Sequence, residues 1–105
     1  MIRAVFFRNR EGLITGFHIN GHSGLAPAGE DVLCAFVSSA AYLTANTITE
    51  IIGAGADAQD SDGDMILTVY EKLTDCQTIL SGLMLHLEET GKQYPDNLNV
   101  TITEV

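Results

Sequence analysis

Basic residues are scarce in this 105-residue chain: five Lys and Arg stand against fourteen Asp and Glu, a formal net charge of −9. Binding to a phosphate backbone needs clustered Lys and Arg, so direct contact with nucleic acid is not expected. The deficit is concentrated, since residues 11–71 hold nine carboxylates and no Lys or Arg. Such a span attracts a basic partner, and it equally serves to keep a small protein soluble. Cysteine is sparse too, and two thiols read as free cysteines of a reducing compartment rather than a disulfide framework. Trp is absent.

Long apolar runs are also few. The opening "MIRAVFFRNREG" has a four-residue apolar run before charge resumes, too short for the centre of a signal peptide, and this predicts a cytoplasmic protein. Residues 32–49 carry no charge, but six of those eighteen are Ser, Thr or Asn. A buried helix of a soluble domain is expected there, and no membrane partner. The 46% apolar content and the length fit one packed domain over residues 1–105. No linker, low-complexity segment or convincing internal repeat breaks it.

"IRAVFFR" and "LITGFHIN" flank the turn-like "NREG" and predict a hairpin. Asp31 offers an N-cap to "VLCAFVSSAAYLTANTITEII", which is apolar nearly all round and therefore expected to be central and buried. "ADAQD" and "MILTVYE" form a second hairpin turning at "SDGD". Thr74 and Gln77 have capping-box spacing before a second helix that should end at Gly91, and "LNVTITEV" is a final strand. The order ββαββαβ predicts a small α/β sandwich of the α+β type, one sheet layer packed on two helices.

The stretch "GHSGLAPAGEDVLC" brings an imidazole and a thiol to either side of a glycine-rich run. A cysteine attacks as its thiolate, and two features can favour that form here. With Asp31 as N-cap, Cys34 falls in the first helical turn, where unpaired N–H groups and the helix dipole favour negative charge. His22, separated from it by eleven intervening residues, can fold back through the glycine-rich run with Gly21, Gly24 and Gly29 to accept the proton. The same N–H groups suit an oxyanion. Glu30 and Asp31 oppose the thiolate. Asp31 is either the cap or a third member orienting His22. The bland alternative is a small buried cysteine beside an ordinary turn. If the pair is catalytic, residues 21–30 read as a gate that closes on substrate; otherwise they are a rigid turn.

Cys76 shares the helix-start position but has no histidine-bearing loop, and reads as core. His18 and His86 read as polar-face or satisfied core residues. A metal site from His22, Asp31 and Cys34 lacks CxxC or HxxxH spacing and is not expected. "DSDGD" is a hairpin turn and not a calcium loop, because alignment on Gly63 puts Ala58 and Val69 at the first and last ligand positions.

The placement of His22, Gly24, Gly29, Asp31, Cys34 and Ser38 in "GHSGLAPAGEDVLCAFVSS" resembles the ribosomal-processing cysteine protease family, Prp. The resemblance covers essentially the whole chain, and only the loop and first helix are specific. It implies a homodimeric cysteine endopeptidase, without cofactor, that removes the N-terminal extension of large-subunit ribosomal protein L-twenty-seven in Firmicutes and related bacteria. Cys34 is the implied nucleophile and His22 the implied base, with Gly21, Asp31 and Ser38 at motif positions. Ser38 is one turn beyond Cys34, where its hydroxyl either supports the site or bonds back to the Cys34 carbonyl. Leu25 departs from a tyrosine often found there, which bears on loop packing or substrate fit. The alternative is a non-catalytic dimeric module that binds a basic ribosomal protein during assembly.

Overall fold

Alternating branched and aromatic residues build the first hairpin of the computed structural model, which describes residues 1–22 and 31–105. Strands β1 (Ile2–Arg8) and β2 (Ile14–Asn20) pair antiparallel with Phe6 opposite Phe17. The Asn9 side chain closes the turn by accepting from the Glu11 and Leu13 amides. Helix α1 (Val32–Asn46) follows and continues into a π-helical segment, Thr47–Ile52, ended by Gly53. The second hairpin is β3 (Ala56–Ser61) and β4 (Asp64–Val69). A short 3-10 turn, Thr74–Cys76, leads into α2 (Gln77–Gln93), and β5 (Leu98–Glu104) completes the fold.

The five strands lie in the order β3-β4-β2-β1-β5, with β5 parallel to β1 and every other pair antiparallel. Burial alternates along them, so one face of the sheet carries Ile2, Ala4, Phe6, Phe17, Ile19, Met65, Leu67 and Leu98. Against that face lie Leu33, Val37, Ala41 and Ala45 of α1 and Leu80, Leu83 and Leu87 of α2. The result is the expected small single domain of ββαββαβ order, a five-stranded sheet with two helices. Each fully buried Phe, Leu or Ile contributes about 1.5–3 kcal/mol, and the tilted Phe6–Phe17 contact, centroids 5.9 Å apart, adds specific ring packing.

Three expectations are corrected. The helix over Val32–Ile52 is not buried all round: Val32 and Leu43 of α1 are 80% and 64% exposed, and Ile51 of the π-helical segment is 80% exposed. A two-layer fold covers the inner face of a helix and leaves its outer face to solvent, whatever its composition. With its π-helical extension, Val32–Ile52 is long and apolar enough to cross a membrane, yet its inner face forms core.

The Thr74–Gln77 capping box does not form. Gln77 instead clamps β2, accepting from the Ile14 amide at 2.7 Å and donating to the Ile14 carbonyl at 2.8 Å. Gly91 does not end α2 but lies inside it, where a Cβ would stand 3.2 Å from the Leu98 carbonyl oxygen, so it lets α2 approach β5 closely.

Candidate active site

Gly21 follows the end of β2 and turns the chain with φ +99°, at a place where a Cβ would run into the Met1 carbonyl. Only glycine suits both conditions. Its amide donates to the Gly63 carbonyl at 3.0 Å, tying the end of β2 to the β3–β4 turn. His22 comes next, and its ring lies over Gly63, where a Cβ would be 3.3 Å from Nε2. The second hairpin thus supports the histidine from below.

Asp31 is the N-cap of α1, with an extended backbone and a side chain only 6% exposed. Its Oδ1 accepts from the Cys34 amide at 3.1 Å, the N-cap bond expected of aspartate. Its Oδ2 accepts from the Cys34 thiol, also at 3.1 Å. From the other side His22 Nδ1 stands 3.9 Å from Cys34 Sγ, long for proton transfer at rest but within reach of a small adjustment. Cys34 itself is half-buried.

Cys34, Ser38 and Tyr42 recur every four residues along one face of α1 and form one wall of a cleft of about 330 Å³. The opposite wall is the tip of the second hairpin, Asp60 to Asp64. Tyr42 spans the two, its hydroxyl donating to Asp60 Oδ2 at 2.6 Å. That bond holds the proton on Tyr42 and raises its pKa. Ser38 is exposed on the cleft wall, and among the described residues its hydroxyl makes neither of the two bonds expected of it.

The structure therefore brings Gly21, His22, Asp31, Cys34 and Ser38 to one cleft. Gly24 and Gly29, on which the gate reading depends together with Gly21, and also Leu25, lie outside the described residues. Sequence reading missed the acidic hairpin tip and Tyr42 as walls of the cleft. The four-residue spacing from Cys34 through Ser38 to Tyr42 was the available signal for the latter. Of the first-turn N–H groups read as suiting an oxyanion, that of Cys34 is bonded to Asp31.

The other candidates have ordinary roles. His18 pairs with Asp64 across β2 and β4 at 2.6 Å, His86 stacks on Phe36 with centroids 4.9 Å apart, and Cys76 is fully buried. Among the described residues no cluster of three or more His, Cys, Asp or Glu is placed to hold a metal.

Residues 1–99 match the family model described as cysteine protease Prp. The chain is 28% identical over 108 residues to the ribosomal processing cysteine protease Prp of Bacillus subtilis (strain 168), covering 96% of each. It also resembles the crystal structure of the essential ribosomal processing protease Prp from S. aureus with a covalently linked product peptide. There the TM-score is 0.90 at 23% identity, over 98% of this chain and 100% of that one. The S. aureus protease in complex with a substrate peptide gives a TM-score of 0.86 at 22% identity, with the same coverage.

Proposed function

The chain belongs to the cysteine protease Prp family, and from that premise we propose that it is a processing endopeptidase using Cys34 as nucleophile and His22 as base. Its substrate is a ribosomal protein precursor with an N-terminal extension, and large-subunit protein L-twenty-seven is the specific assignment. The observation that carries this reading is the convergence of Cys34 Sγ and His22 Nδ1 at 3.9 Å in an open cleft. The cleft's second wall bears Asp60, Asp62 and Asp64, which suits the basic character of ribosomal proteins.

In this reading His22 takes the Sγ proton and the thiolate attacks the scissile carbonyl. Collapse of the tetrahedral intermediate expels the new N-terminal amine, which receives the proton from imidazolium. Water, deprotonated by the same imidazole, then hydrolyses the thioester and frees the N-terminal peptide. No cofactor enters these steps.

A homodimer in the cytoplasm, where ribosomal proteins are made, belongs to the same proposal. What supports the dimer is the uncharged outer face of α1, since two copies of a chain with net charge −9 meet with least repulsion there. Leu43→Asp should then sediment as a monomer while the parent protein does not.

The test of the activity is direct. Purified protein incubated with the extended precursor should yield two fragments whose masses sum to the precursor plus water, and Cys34→Ala should leave the precursor whole. A precursor left intact by the parent protein would return the non-catalytic binding reading.

A further inference from the structure

The two oxygens of Asp31 hold two different atoms of the same cysteine, the amide nitrogen and the sulfur, each at 3.1 Å. We propose that Asp31 is the resting partner of the Cys34 thiol, keeping it protonated until His22 takes over as acceptor. This rests on the assignment of Cys34 as nucleophile. An ionised carboxylate can only accept, so it stabilises S–H as a donor and meets a thiolate as a like charge. Its other oxygen occupies the Cys34 amide, one of the helix-terminal N–H groups that would otherwise stabilise a thiolate.

Among the described residues, the rest of the cleft does not compensate. Around the pair stand His22 after β2, Tyr42 on α1, and Asp60, Asp62 and Asp64 on the hairpin tip. Tyr42 is held as a proton donor to Asp60 and adds no positive charge. Glu30 lies outside the described residues. Among the described residues lining the cleft there is no Lys or Arg, and His22 is the one group able to become cationic. At 3.9 Å it is farther from the sulfur than the carboxylate is. The thiol is therefore placed between an acceptor that cannot activate it and one that can. Asp31 is a positioning residue in this scheme: it sets which proton acceptor Sγ faces before substrate arrives.

Asp31→Asn separates this role from the two others open to the residue. The amide oxygen still caps α1, while the amide nitrogen now donates toward sulfur and the like charge is gone. The rate of Cys34 alkylation by iodoacetamide, followed against pH by peptide mapping, should show its midpoint lowered by at least about one unit. At a pH below both midpoints that is about a tenfold faster reaction. Asp31→Ser, which also caps, should move the midpoint the same way, and thermal melts of both variants check folding. A midpoint unchanged or raised in folded Asn and Ser variants overturns the proposal and leaves Asp31 as a cap or an orienter of His22. Precursor cleavage is measured separately. A lowered midpoint in a protein that cleaves no precursor supports the role of Asp31 and removes the processing assignment instead.

Discussion

The two cysteines occupy nearly the same place on their helices and have opposite surroundings. Each sits at a helix start, with Asp31 three residues before Cys34 and Asp75 immediately before Cys76. Cys34 is half-buried on a cleft wall, its sulfur facing a carboxylate and an imidazole. Cys76 is fully buried in the hydrophobic core, its amide donating to the Leu73 carbonyl. Burial pushes the Cys76 thiol pKa up, and the nearby Asp75 charge adds to the rise. Position at a helix terminus therefore does not make a thiol a nucleophile. Access and a partner able to take the proton do.

The largest expected effect is chemical. In the folded protein at neutral pH, Cys34 should alkylate at least about 100-fold faster than Cys76, because only the first thiol is both accessible and near a base. Peptide mapping after a timed iodoacetamide pulse measures it, and equal labelling would collapse the contrast.

A smaller effect should come from the hairpin beneath His22. Gly63→Ala places a methyl group against the ring at a backbone φ of +71°, so the imidazole must move. We expect kcat for precursor cleavage to fall about tenfold with KM little changed, the mark of a misplaced catalytic group. An unaltered kcat would mean that His22 does not need the hairpin.

The smallest effects are on stability and belong to Cys76. Its folded pKa is raised above the ordinary thiol value of 9.0, so its contribution is complete below about pH 9 and is lost as pH climbs from there through the raised value. Unfolding free energies from urea titrations should decline over that window by up to about 1.4 kcal/mol per pH unit from this group. The Cys76→Ala variant should lose that component of the slope while Cys34→Ala retains it. Identical slopes in all three proteins would break the comparison at its core end.

How much of this was legible depended on whether the partners were local. Asp31 and Cys34 are three residues apart, and cap chemistry alone predicted their bond. Gln77 was misread as half of a local capping box because its real partner, Ile14, is 63 residues away. Periodicity showed residues 32–52 to be apolar nearly all round, but not that a single sheet layer would leave Val32, Leu43 and Ile51 outside. The convergence of His22 on Cys34 was legible through the motif, whereas the approach of the "DSDGD" turn to both required the strand order that sets β4 beside β2.

That strand order assigns His22 and Cys34 to different layers, the histidine to the end of a sheet strand and the cysteine to the overlying helix. Their separation therefore depends on how α1 packs across the sheet. Shifts of packed helices by about an ångström are a known mode of protein motion, and about one ångström is the difference between 3.9 Å and a working sulfur–imidazole contact. Val37 and Ala41 of α1 and Ile19 and Met65 of the sheet belong to the core and also line the cleft between the two layers. Substitutions among these four side chains are therefore expected to move the sulfur–imidazole distance as well as core stability.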